Sequence, residues 1–272
     1  MSQNNRVLIR GGGDLASGVA LRLHRAGIRV LITELAHPLA VRRAVSFAEA
    51  VFDGAHEVEG VKSKLIEADQ LSAWDEADVI PVLIDPNADI LSAIHFPVVV
   101  DARLTKQTPS PLPTQVPLHI GLGPGFSAGS NCHAVIETRR SHTLGRVIWD
   151  GAPQPDSGQP EGDMRRVLRA PNDGKVVNKT EIGNHVEEGQ TILEIHSANN
   201  RPLTIVHSPF SGVLRGLIRD GMTVTKSLKI GDVDPRGDVS ACYMVSDKAL
   251  AIGGGVLEAI LSKAEIRERI YF

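Results

Sequence analysis

The sequence predicts an α/β chain: a Rossmann-like parallel-sheet domain, a β-rich middle region, and a small all-β domain built from two similar halves. Three observations carry this. Arg6 to Glu34 reads as strand, glycine turn, helix and strand within a few dozen residues. The apolar runs DVIPVLIDP (78–86) and FPVVVDARL (96–104) are continuous rather than alternating, as expected of strands buried on both faces. Beyond Arg169 a short motif recurs at a fixed offset.

The first element is the most informative. Val7, Leu8 and Ile9 form a buried strand that Gly11, Gly12 and Gly13 stop abruptly. From Leu15 apolar and small residues recur at helical spacing (Leu15, Ala16, Val19, Ala20, Leu23), with Arg22, His24 and Arg25 opposite, and Gly27 closes the helix. Val30, Leu31 and Ile32 make the second strand. Gly11-x-Gly13-x-x-Ala16 is the alanine variant of the dinucleotide fingerprint, and Glu34 is the acid expected about 20 residues on. In that reading the N–H groups of Gly11, Gly12 and Gly13 and the helix dipole meet an anion, and Glu34 accepts from a ribose diol. Arg42 and Arg43 could instead receive a phosphate. Asp14 puts a negative charge where the phosphate would sit, so it either caps the helix or marks a metal or a less anionic ligand. The expected ligand is NAD(P) or another nucleotide.

Composition narrows the classes. A chain of 272 residues is long enough for two domains with a well-buried core. Its net charge of −3 removes any general case for nucleic acid or an anionic membrane as partner. No apolar run approaches the roughly 20 residues of a spanning helix, and MSQNNRVLIRGGG enters the fold without a signal-peptide pattern, so a cytoplasmic location is expected. Cys132 and Cys242 alone argue against a disulfide scaffold.

Further along, PLAVRRAVSFAEAVFDG reads as a helix started by Pro38 and ended by Gly54. The strands at 78–86 and 96–104 bring Asp85 and Asp101 to the carboxyl edge of the sheet, where open α/β folds bind ligands. The proline-rich stretch 105–117 is a linker or extended arm. Gly121, Gly123 and Gly125 then open a second glycine-rich loop, a backbone nest suited to an oxyanion. Directly after it, Cys132 and His133 are the candidate catalytic pair, a thiol and an imidazole beside a run of amides. On a strand, however, neighbouring side chains point to opposite faces. His133 and Glu137 would share a strand face but stand about 13 Å apart at ~3.3 Å per residue, so no metal is assigned.

In the second half Ala170-Pro171-x-x-Gly174-x-Val176 recurs as Ser208-Pro209-x-x-Gly212-Val213-Leu214, and Gly183-x-x-Val186 as Gly221-x-x-Val224, always 38 residues on. Two such units imply a pseudo-symmetric sandwich closed by both. APNDGKV, VEEGQTILEI and SPFSGVL resemble the biotinyl/lipoyl barrel-sandwich family. Where that family carries a modified lysine, this chain has HSANNRP (196–202), so a carrier role is not expected. Ser240 to Val245 reads as a strand, Ile252 to Gly255 as a turn, and VLEAILSKAEIRERI as a closing helix. The expected domains are therefore 1–105, Rossmann-like; 106–165, the β-rich middle; 166–235, the barrel-sandwich; and 236–272, a strand and helix returning to the α/β part.

Longer stretches carry a wider resemblance. IRGGGDLASGVALRLHRAG, LAVRRAVSFAEAV, LGPGFSAGSNCHAVIETRRSHTLGRVIW, GDVDPR and SDKALAIGGGVLEAIL resemble the accessory proteins of a selenium-dependent molybdenum hydroxylase system. The first domain is also similar to the nucleotide-binding half of xanthine dehydrogenase accessory factors. The resemblance implies a maturation factor that binds a nucleotide or the molybdenum cofactor and has a xanthine dehydrogenase-like molybdenum hydroxylase as partner. Two rival roles are an NAD(P)- or nucleotide-dependent enzyme acting in cofactor or selenium/sulfur insertion and a non-catalytic docking protein for the hydroxylase.

Overall fold

The computed structural model describes residues 5–74, 76, 78–156, 163–197 and 203–271. The tip of HSANNRP, residues 198–202, and residues 157–162 of the turn-rich connection lie outside them. The chain divides into two compact units, one of residues 1–38, 46–157 and 245–272, the other of residues 39–45 and 158–244.

The first unit is built on nine strands: β1 (Val7–Arg10), β2 (Val30–Glu34), β3 (Ala55–Val58), β4 (Val61–Ile66), β5 (Val79–Ile84), β6 (Val98–Asp101), β7 (Leu118–Leu122), β8 (Ala134–Ile136) and β9 (Val147–Ile148). Their order is β3-β4-β5-β2-β1-β6-β7-β8-β9. Strands β4 to β8 in that order run parallel, while β3 and β9 pair antiparallel at the two edges. β1 lies at the centre, its four residues all buried, as its unbroken apolar run requires. Helix α1 (Asp14–Arg25) follows, and α2 (Ala50–Asp53) is a single turn. Helix α3 (Asp247–Leu261) is capped by Ser246, whose Oγ accepts from the Ala249 N–H at 3.1 Å, and α4 (Ala264–Tyr271) ends the unit. α1 and α3 pack closely because Gly18 faces Ala249, where an added Cβ would stand 2.6 Å from the Ala249 Cβ.

The second unit holds β10 (Val167–Arg169), β11 (Gly174–Asn178), β12 (His185–Val186), β13 (Thr191–His196), β14 (Thr204–His207), β15 (Gly212–Leu217), β16 (Thr223–Val224) and β17 (Lys229–Asp234). They form two antiparallel sheets, β10-β17-β15-β12 and β14-β13-β11-β16. The 38-residue offset relates β11 to β15, β12 to β16 and β13 to β17. Each sheet takes one strand from the other copy, and Val176, Ile192, Leu214 and Ile230 share one core.

The expected fold class is thereby corrected. In place of a Rossmann-like parallel sheet, a separate β-rich middle and a barrel-sandwich, the chain forms one large mixed sheet and two antiparallel sheets. The middle stretch supplies β7, β8 and β9 to the first sheet, since Ile120 and Leu122 continue its buried face. The helix expected from Pro38 is mostly absent. Residues 39–45 instead join the second unit, where Leu217 donates its N–H to the Val41 carbonyl at 2.8 Å. The strand expected at 240–245 begins as a 3-10 turn, Val239–Cys242, and the turn expected at 252–255 is interior to α3.

Candidate functional site at the carboxyl edge of the mixed sheet

Parallel strands deliver their carboxyl ends to one edge, and the sequence places charge there. Arg10 ends β1 and Asp101 ends β6; they are paired in register, only 4% and 1% exposed. Arg10 Nη1 lies 3.3 Å from Asp101 Oδ2, and its Nη2 donates to the Pro86 carbonyl at 3.2 Å. Arg103 takes the same carboxylate as a fork, Nε to Oδ1 at 2.9 Å and Nη2 to Oδ2 at 2.6 Å. The Arg10 Nε is buried with no hydrogen-bond partner among the described residues. Asp85 is committed elsewhere, accepting the Asp89 and Ile90 N–H groups at 2.9 and 3.0 Å.

His119 lies on β7 two residues before Gly121, the residue opposite Asp101, so it occupies the same sheet face as Asp101. Its ring meets Phe126 edge-on at 5.9 Å, and its Nε2 is a second buried atom without a partner among the described residues. Burial lowers its pKa to about 4, against the pull of Asp101, so the imidazole is neutral at pH 7. The backbone just beyond Asp101 is strained, with Leu104 at φ 55° and Lys106 at φ 61°, conformations that side-chain-bearing residues rarely adopt.

The residues singled out from the sequence fall as follows. Gly11, at φ 93°, packs against the backbone of Ala102, 3.4 Å from a hypothetical Cβ. The Gly12 N–H donates to Glu34 Oε1 at 2.6 Å, and its carbonyl accepts from the Ala48 N–H and the Ser17 hydroxyl. Glu34 Oε2 accepts from the Leu35 N–H at 2.7 Å, so both oxygens read as ribose acceptors are spent on backbone. Burial raises the Glu34 carboxyl above its ordinary pKa, and these two N–H groups oppose the rise. The side-chain position of Gly13 is open, Asp14 accepts from the Leu15 N–H at 2.9 Å, and Ala16 is buried in α1. Arg42 and Arg43 belong to the second unit, where they donate to the Ala241 and Met244 carbonyls and to the Leu217 carbonyl. Phe126 covers Gly121, Thr138 lies against Gly123, and the Gln107 carbonyl against Gly125.

Cys132 is buried, which pushes its thiol up to about 11 despite nearby N–H groups of Gly121, Ser127 and Ala134. His133 is exposed and accepts the His119 N–H on its Nδ1 at 2.8 Å. Among the described residues no group of three or more His, Cys, Asp or Glu side chains could hold a metal ion. Arg10, Arg103 and His119 were not singled out from the sequence. Their signal was a charged or imidazole residue inside or at the end of an otherwise apolar strand, VLIR, VVVDAR and LHIGL.

No family model matches the chain. It is 44% identical over 265 residues to the uncharacterized protein YqeB of Escherichia coli (strain K12), covering 96% of this chain and 48% of that one. The chain thus spans about half the length of this curated relative. Solved structures give weaker likenesses. The product-bound ectoine utilization protein EutE of Ruegeria pomeroyi is 16% identical over 32% of this chain and 27% of its own, with a TM-score of 0.25. An aspartoacylase family protein of Mesorhizobium loti is 9% identical over 75% and 56%, TM-score 0.25. A succinylglutamate desuccinylase of a Silicibacter species is 12% identical over 86% and 85%, TM-score 0.26. Such scores carry neither a fold nor an activity to this chain.

These findings correct the molybdenum reading. With no family model matching and the curated relative carrying no described activity, nothing supports membership in a molybdenum hydroxylase accessory family, a selenium role, or a hydroxylase partner. Among the described residues no helix is long and apolar enough to cross a membrane.

Proposed function

We propose that the carboxyl edge of the mixed sheet binds a small carboxylate-bearing metabolite. The observation that carries this reading is the buried Arg10 guanidinium with an unmet Nε, beside a second guanidinium that Asp101 holds in a fixed plane. Arg10 and Arg103 both hold Asp101, and Asp85, whose oxygens take N–H groups of its own turn, also acts on Arg10 through its charge. A carboxylate suits the guanidinium N–H groups that Asp101 leaves over, the Arg10 Nε first among them. The glycine turn favours no phosphate, because Glu34 already takes the Gly12 N–H. Neutral His119 supplies a hydrogen-bonding group on the same face. Two buried, unpaired cysteines fit a reducing compartment, and the cytoplasm is the location we propose.

A thermal-shift screen of lactate, malate, aspartate, glutamate and succinate against the full chain tests this, since ligand that binds only the folded state raises the midpoint. At least one carboxylate should raise it, and Arg103→Gln should abolish the rise. A flat response to every carboxylate would overturn the reading.

A further inference from the structure

The second unit holds a cluster that the carboxyl-edge site does not use. Asp232 and Asp234, two residues apart on β17, share one sheet face and are 2% and 3% exposed. Arg166, Arg215 and Lys229 all converge on Asp232: Arg166 Nε at 3.1 Å, Arg215 Nη2 at 2.6 Å, Lys229 Nζ at 3.8 Å. Arg236 turns instead to Asp234, at 2.6 Å, with the exposed Asp238 beyond it. Arg215 also reaches Asp234, its Nη1 3.2 Å from Oδ2, so Arg166, Arg215, Lys229 and Arg236 share two buried carboxylates.

Arg215 reaches this position through a β-bulge. Leu214 pairs with Val233 and Gly216 with Asp232, so Arg215 is the extra residue between them. A bulge re-aims a side chain that strict alternation would send elsewhere. Two guanidiniums and two carboxylates would suffice to tie β10, β15 and β17 together; the further charge has no such task. Exposure rises through the cluster, 14% for the Arg215 side chain, 22% for Arg166 and 39% for Lys229, so part of its positive charge faces solvent.

We propose that Arg166, Arg215 and Lys229 form a binding site for a phosphoryl group, with Asp232 fixing the planes of the two guanidiniums. Arg166, Arg215, Lys229 and Arg236 against Asp232, Asp234 and Asp238 leave one positive charge, which suits a phosphoryl anion, and the N–H groups that the carboxylates leave over match its oxygens. The site lies within the second unit and stands whether or not the carboxyl edge binds carboxylates.

The test is calorimetric titration of the full chain with inorganic phosphate and with glycerol phosphate, in chloride buffer of matched ionic strength. Saturable binding is expected, weakened at least threefold by Lys229→Ala and at least tenfold by Arg166→Gln, and unchanged by Arg103→Gln at the other site. Glycerol phosphate binding ten times tighter than inorganic phosphate would assign the group to a larger ligand; equal binding would assign it to free phosphate. Absence of saturable binding, or binding that neither variant weakens, overturns the proposal. Lys229 is on the surface, so its variant reports on binding without threatening the fold.

Discussion

Replacing Asp101 by alanine removes the acid that both Arg10 and Arg103 hold. Arg103 can turn to water, its side chain being 27% exposed, but Arg10 is 5% exposed and keeps one hydrogen bond, to the Pro86 carbonyl, with Asp85 a more distant charge. The variant therefore strands a charge in the interior, and breaking a buried pair in this way costs about 3–5 kcal/mol. Urea denaturation followed by circular dichroism at pH 7 should show a loss of that size. The paired replacement Arg10→Met with Asp101→Leu removes both charges and should recover most of it, because apolar residues of similar volume commonly replace a buried pair at little cost. If Asp101→Ala loses less than about 1 kcal/mol, the Arg10 charge is not stranded, and the reasoning about the strand-end cluster fails.

Other perturbations follow from the same geometry. His119 has a folded pKa of about 4 against 6.5 in the unfolded chain, so the unfolded state binds more protons between these values. Its contribution is complete above pH 6.5 and is lost as pH falls toward 4, up to about 3 kcal/mol at ~1.4 kcal/mol per unit. His119→Leu should flatten the stability profile in that window, and an unchanged acid slope would contradict the assignment. With a pKa of about 11, Cys132 is about one part in a thousand thiolate at pH 8, so iodoacetamide should label it only after unfolding. Rapid native labelling would show that it is open. Gly18→Ala puts a methyl group 2.6 Å from the Ala249 Cβ and 2.8 Å from its backbone, and should cost at least the 1–3 kcal/mol typical of overpacking, read by denaturation.

Local pattern was a good guide wherever a segment's partners are its neighbours in sequence. The apolar runs at Val7–Ile9 and Val30–Ile32 and the helix from Asp14 to Arg25 form as their spacing implies, and the 38-residue offset recurs strand for strand. Pattern failed where distant groups decide. Residues 38–54 have helical spacing, but the Val41 carbonyl is taken by Leu217 and the Arg42 guanidinium by the Ala241 and Met244 carbonyls, bonds no local reading contains. Gly253 and Gly255 read as a turn, yet they are buried in α3 beside Gly18 and Gly145, where side chains would not fit. The hairpin of β3 and β4 turns on Glu59 and Gly60, both at positive φ, a two-residue signal that was present and missed.

The candidate site was legible in part. Asp101 was placed at the sheet edge by its position after VVV, but its partners sit on other strands, and a single sequence does not show which strands are neighbours. The glycine fingerprint has the right spacing, and Glu34 lies where the fingerprint puts an acid; spacing could not show that Glu34 spends itself on the turn's own N–H group.

The most direct measurement is a calorimetric titration of the full chain with the carboxylate giving the largest thermal shift, repeated on Arg103→Gln. A saturable isotherm weakened at least tenfold by the substitution, as loss of a charge-assisted hydrogen bond worth about 1.5–3 kcal/mol requires, is the predicted result. An isotherm that Arg103→Gln leaves unchanged would place the carboxylate elsewhere and contradict the assignment of the sheet edge.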